Sequence, residues 1–143
     1  MILDEALKHA AVIGAAGKMG SGISLLLLQE LALLEAQKTG QVGRGGYRLD
    51  LIDVNADALN SLKAYLSTHL RHLAERQINH LRQVFSHNPN LVSNEEIVQT
   101  FVEGAMNIIH PASEVEEAKD AAIVFEAVIE DLNVKKNIYH RLS

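Results

Sequence analysis

Residues 11–22 read AVIGAAGKMGSG, a short apolar run that enters a glycine-spaced turn and leaves it as the start of a helix. Gly14, Gly17 and Gly20 fall at three-residue intervals, and each meets a separate physical demand. One permits a tight turn out of a strand, one lets the backbone approach a phosphate with no side chain between, and one lets the following helix pack closely on the strand. A helix opening near Lys18 would aim its free amides and the positive end of its dipole at the anion. The stretch points to a turn that holds a pyrophosphate, with Gly14, Gly17, Lys18, Met19 and Gly20 as its residues. The Lys18 side chain could reach a phosphate or face solvent. A glycine triplet alone is a weak signal, and its surroundings decide.

Those surroundings supply a second strand and an acid. Residues 47–53, YRLDLID, combine aromatic, leucine and β-branched content, and Asn55 follows as a helix cap. In a dinucleotide fold the carboxylate ending this strand accepts the adenosine ribose hydroxyls, and Asp53 holds that place. It would repel a 2′-phosphate, and no Arg or Lys follows before Lys63, so the expectation is NAD over NADP. Asp53 lies much farther from Gly20 than the roughly 20 residues of the usual fingerprint. The excess includes the glycine-rich run QVGRGG, read as a surface turn around Arg44.

With 143 residues, 48% of them hydrophobic, the chain can build one core. A net charge of −5 with scattered Lys and Arg argues against a nucleic-acid partner. No run approaches the 18 or so uninterrupted apolar residues of a membrane span, so no membrane partner is expected. The absence of cysteine excludes disulfides and thiolate chemistry and fits a reducing compartment. Residues 1–10 resemble neither a secretory signal nor a transit peptide, which leaves a cytoplasmic location as the expectation.

Periodicity predicts strands at about 10–14, 47–53, 106–109 and 121–127. It predicts a helix from Lys18 to about Lys38, stopped by Thr39-Gly40, and one long amphipathic helix over 56–86 with Leu59, Leu62, Leu66, Leu70, Leu73, Leu81 and Phe85 on its apolar side. Asn88-Pro89-Asn90 ends the latter. Ser93 to Glu96 has capping-box spacing and opens a helix to about Glu103; Ser113 to Glu116 repeats that spacing. A last helix is expected from about Leu132, capped by Asp131.

With the fourth strand in place, VFEAVIEDLNVKKNIYHRL resembles the segment that closes the first half of the NAD-binding domain in 3-hydroxyacyl-CoA dehydrogenases. The Lys-Met-Gly turn ending, the acid after strand two, the long helix pair and the SNEE helix start occur in that family's order, and the likeness covers nearly the whole chain. It implies an α/β, doubly wound, Rossmann-type, mainly parallel sheet with a long helix pair inserted after strand two, lacking its last strands. Residues 1–143 would form the NAD-binding domain of a longer dehydrogenase that moves a hydride between a 3-hydroxyacyl-CoA and NAD, as in fatty-acid β-oxidation. It further implies that Ala127 and Glu130 line the nicotinamide side, that Lys135 contributes from the last helix, and that an acyl-CoA is the full-length protein's substrate. Arg71, Arg76 and Arg82 are candidates for contacts with it.

Two departures stand out. This chain reads Gly-Ala-Ala-Gly-Lys-Met-Gly where the family usually writes Gly-Ala-Gly-x-Met-Gly, one residue more between the first two glycines. The family's Ser, His, Asn and Glu of catalysis follow a Ser-Asn-Thr-Ser-like motif beyond Ser143, so no catalytic residue is expected here. Of the seven histidines, His69, His72 and His80 read as solvated helix flanks rather than metal ligands, and His110 and His140, near element ends, as surface residues rather than catalytic ones. Two alternatives remain: another dehydrogenase or reductase on the same fold, since GAAGKMG also resembles the turn of dihydrodipicolinate reductases, or a non-catalytic dinucleotide-binding module. The apolar strand at 121–127 would form a sheet edge, from which a homo-oligomer is expected.

Overall fold

The computed structural model of the chain describes residues 7–127. Four parallel strands, β1 (His9–Ile13), β2 (Arg48–Ile52), β3 (Ile109–Ala112) and β4 (Ile123–Glu126), lie in the order β3-β2-β1-β4. That is the opening half of a doubly wound sheet. Helices α1 (Lys18–Thr39), α2 (Ala56–Arg76), α3 (Ile78–Val84) and α4 (Asn94–Met106) connect them. They cover the face presenting Ala10, Val12, Leu49 and Leu51 and build the main core around Leu28, Leu31, Leu66, Leu70 and Phe101. The opposite face presents Ala11, Ile13 and Ile52 to a one-turn 3-10 helix, Val115–Ala118.

By length and composition α1 could also cross a bilayer; here it is a core helix with Leu28, Leu31, Ala32 and Ala36 buried. It stops where the sequence says, at Gly40, whose φ of 72° suits glycine and whose N–H returns to the Ala36 carbonyl. Asn55 caps α2 by accepting from the Ala58 amide at 3.0 Å. Ser93 and Glu96 form the reciprocal capping box of α4. The Ser93 amide, donating to Glu96, is the main influence that holds that carboxyl below its ordinary range.

Several boundaries differ from expectation. The helix predicted over 56–86 is two helices that break at Gln77 (φ −107°, ψ 26°) and end before Ser86. Gln77 stands where the Leu70–Leu73 stripe next calls for an apolar side chain, and the axis turns there so that Leu81 and Phe85 stay buried. The third strand is Ile109–Ala112, not 106–109, because α4 continues through Met106 and Asn107 caps it. Pro111 falls within the strand, where it lies at a sheet edge that tolerates a missing amide. Ser113 caps no helix: Val115 and Ala118, three apart, bury one 3-10 turn behind Glu114. Strand β4 is shorter than 121–127 and half-buried, as an edge strand of the described sheet is. The helix expected from Leu132 lies outside the described residues.

Two buried carboxylates went unread in the sequence. Asp50, in the middle of β2, accepts from His9 Nε2 at 2.6 Å and Arg48 Nε at 2.9 Å. Glu35, on α1, accepts from the Gly43 and Arg44 amides at 2.9 and 3.2 Å and so fastens the QVGRGG turn. That turn lies against α4, where a Cβ on Gly43 would come 2.2 Å from the Gly104 carbonyl oxygen. Replacing Glu35 with Ala leaves both amides without an acceptor and should destabilise the protein by about 2–3 kcal/mol. Glu30→Ala, exposed on the same helix, should stay within about 0.5 kcal/mol of wild type. Urea denaturation reads both; equal midpoints for the two variants would contradict the fastening role.

Candidate functional site

Gly14 is the first residue past β1, and its φ of 76° lies in the left-handed region that glycine tolerates. Its amide and that of Ala15 both donate to the Ile52 carbonyl, at 2.8 and 3.0 Å, which ties the turn to the end of β2. The Ala16 amide donates to Asp53 Oδ2 at 3.0 Å, and the Gly17 amide to the Gly14 carbonyl at 3.2 Å. Gly17 is the N-cap of α1, with no side-chain capping bond and no acid in the first turn. Ser21 anchors the cap, its amide and Oγ donating to the Gly17 carbonyl at 2.8 and 2.7 Å. The helix thus presents its positive end, headed by the exposed residues Lys18 and Met19, with no acid in its own first turn and the Asp53 carboxylate bonded one residue before the cap.

The structure gives Gly14 the tight turn and Gly20 the close packing of helix on strand. A Cβ on Gly20 would sit 1.9 Å from the Gly14 carbonyl oxygen, so α1 packs on the turn at a distance no side chain permits. At Gly17 the nearest atom to such a Cβ is 3.4 Å away, ordinary van der Waals contact. The protein itself would accommodate a side chain at 17; an outside group approaching the backbone would not.

Asp53 stands half-buried just past β2, its amide donating to the Ala112 carbonyl at 3.0 Å and its Oδ1 accepting from the Asn55 amide at 3.0 Å. A carboxylate offers roughly four acceptor positions, so half remain open beside the bonds from Ala16 and Asn55. Ala127 follows β4, its amide on the Ile13 carbonyl at 2.8 Å and its own carbonyl 4.0 Å from where a Gly17 Cβ would be. The structure therefore gathers Gly14, Gly17, Lys18, Met19, Gly20, Asp53 and Ala127 at the carboxyl ends of β1, β2 and β4. Glu130 and Lys135 lie outside the described residues. Beside the turn, Lys18 borders a groove of about 410 Å³ with Ala16, Ser21, Ser61 and Tyr65.

One supporting residue escaped the sequence reading. Ser24 is fully buried in α1 and directs its Oγ at the Ala15 carbonyl, 3.4 Å away, a second tie between helix and turn. Only its place one turn after Gly20 hinted at this. Two of the arginines considered for substrate contacts are engaged within the helices: Arg71 with Glu95 and Gln99, Arg82 with Asn94 and the Val92 carbonyl. His69 stacks between Tyr65 and His72, and His80 meets Gln37 at 3.2 Å. Among the described residues no three His, Asp or Glu converge as a metal site.

The family model described as the 3-hydroxyacyl-CoA dehydrogenase NAD binding domain matches residues 9–143. The chain belongs to that family. Solved structures similar to it include (S)-3-hydroxybutyryl-CoA dehydrogenase PaaH1 from Ralstonia eutropha, at 18% identity and a TM-score of 0.58 over 95% of this chain. FadB2 of M. tuberculosis is similar at 20% identity and a TM-score of 0.54, again over 95% of this chain. At these identities the likeness is one of fold, the α/β sheet described above. The chain spans about 36% of the length of each. No curated relative matches.

NAD is the family's cofactor, and the residues present fit it: an uncapped helix start, a glycine that leaves room at 17, and a carboxylate with free acceptor positions at 53. Gly20→Ala should force α1 off the turn and lower stability by about 1–3 kcal/mol. Gly22→Ala, with nothing within 4 Å of its Cβ, should raise it by about 0.5–1 kcal/mol through helix propensity. Thermal or urea unfolding compares them; a harmless Gly20→Ala would contradict the close packing.

Proposed function

We propose that this chain is the cofactor-holding part of an oxidoreductase that interconverts a 3-hydroxyacyl-CoA and the 3-oxoacyl-CoA, in fatty-acid breakdown of the β-oxidation type. When bound, the nicotinamide supplies the hydride acceptor for the substrate's C3–H, and the hydroxyl proton leaves to a base outside residues 1–143. This chain's own part is to bind and orient. The α1 amides of Lys18 and Met19 would receive the pyrophosphate, Gly17 would let it approach, Asp53 would accept the adenosine ribose hydroxyls, and Ala127 would border the nicotinamide side. Glu130 and Lys135 complete the proposed set. The observation that carries this reading is the start of α1, without a side-chain cap or an acid in its first turn, at a glycine where an added Cβ would meet only ordinary contacts among the described residues.

NAD is proposed over NADP because the Asp53 carboxylate would face a 2′-phosphate with no neighbouring Arg or Lys to neutralise it. A cytoplasmic location, an acyl-CoA substrate for the whole protein, and self-association along the β4 edge belong to the same proposal. Titration calorimetry on the 143-residue protein should show NADH binding at least about tenfold more tightly than NADPH, with acetoacetyl-CoA reduction at background. Light scattering on wild type and a folded Val124→Lys should show association that the variant loses. No binding of NADH at millimolar concentration, or turnover like that of an intact dehydrogenase, would overturn the reading.

A further inference from the structure

The turn from β1 to α1 holds two residues between Gly14 and Gly17 where the Gly-x-Gly form holds one. It therefore carries one additional backbone amide, and a buried or half-buried amide needs an acceptor. The Ile52 carbonyl cannot supply it, because its two acceptor positions already take the Gly14 and Ala15 amides at 2.8 and 3.0 Å. The Ala16 amide goes instead to the next residue along, meeting Asp53 Oδ2 at 3.0 Å.

We propose that Asp53 is a positioning residue for the phosphate-facing turn: its carboxylate takes up the additional amide and sets the direction in which α1 presents its N-terminus. Asp53 is itself held on two other sides, through its backbone amide to the Ala112 carbonyl at the end of β3 and through Oδ1 to the Asn55 amide at the start of α2. One residue thus joins the ends of β2 and β3, the cap of α2 and the turn. The two acceptor positions left on the carboxylate are those a ribose would use, so clasp and cofactor need not compete. The part of this inference that concerns affinity rests on the NAD-binding reading above; the part that concerns the turn stands without it.

The two roles part company in their consequences. If Asp53 only recognised ribose, Asp53→Ala would weaken NADH and, by removing a repelling charge, strengthen NADPH. As a clasp it affects both, because the helix start that receives the pyrophosphate shifts whichever cofactor arrives. Asp53→Asn removes the charge and keeps one acceptor oxygen for the two amides of Ala16 and Asn55. It should therefore hold the turn less firmly than wild type and more firmly than Asp53→Ala, and bind NADPH better than Asp53→Ala does.

The test joins amide hydrogen exchange by NMR on the free 143-residue protein with calorimetric titration of NADH and NADPH. In wild type the Ala16 amide should exchange at least about tenfold more slowly than that of Lys18. Asp53→Ala should release Ala16 while Gly14 and Ala15 remain protected by Ile52, and should lose about tenfold or more in NADH affinity with no gain for NADPH. Asp53→Asn should show Ala16 protection between that of wild type and that of Asp53→Ala. A wild-type Ala16 amide as open as Lys18, or an Asp53→Ala protein whose Ala16 protection is unchanged, overturns the proposal. Should Asp53→Ala not fold, the wild-type and Asp53→Asn exchange rates decide alone. A wild type that binds neither cofactor but shows the predicted exchange pattern refutes the cofactor reading and leaves the clasp standing.

Discussion

The approach of α1 to the turn at Gly20 and Gly14 is the constraint on which the site depends. A helix can deliver its dipole and its first-turn amides to an anion only if its start is pinned at the mouth of the sheet. Here the pinning is steric and polar together. Gly20 lies so close to the Gly14 carbonyl that any side chain is excluded. Ser24 and Ser21 bond to the carbonyls of Ala15 and Gly17 from the helix side. From the sheet side, Ile52 and Asp53 take the amides of Gly14, Ala15 and Ala16. What emerges is the cap at Gly17, which gives the first-turn amides of α1 no side-chain acceptor.

Parallel pairing of β1 with both β2 and β4 brings three strand ends to that point. Asp53 and Ala127 arrive there because each follows the last residue of a strand flanking β1. The core beneath is asymmetric. Among the described residues, one face of the sheet carries four helices and most of the buried leucines, and the other sets Ala11, Ile13 and Ile52 under a single 3-10 turn. Glu35 and the Gly43–Gly104 contact secure the return from α1 to β2, within the insertion that lengthens the distance from Gly20 to Asp53.

What could be read from the sequence was what local chemistry decides. Gly14 and Gly20 betray the turn because a left-handed φ and a close approach each exclude a side chain there. Asn55, Ser93 with Glu96, and Gly40 betray helix ends because capping involves residues within four positions. Features set by distant partners were hidden. Nothing near Gln77 in sequence says that the helix breaks there, and Pro111 looks hostile to a strand until β3 is known to lie at an edge of the described sheet. Glu35 and Asp50 read as ordinary charged residues, and only the fold shows them buried among amides, His9 and Arg48. The acid after β2 was legible at Asp53, but its bond to Ala16 was not, since the saturation of the Ile52 carbonyl appears only in three dimensions.

The central claim is that position 17 is glycine for the sake of a phosphate and not for the sake of the fold. Substituting Asp there separates the two. Its carboxylate can cap α1, whose first turn has no acid, and such a cap should hold or raise stability by up to about 1 kcal/mol. The same side chain would occupy the space the pyrophosphate needs and repel it. The account predicts a Gly17→Asp protein that melts no lower than wild type yet shows no NADH binding by calorimetry at a concentration that saturates wild type. A folded Gly17→Asp that binds NADH as wild type does would contradict it.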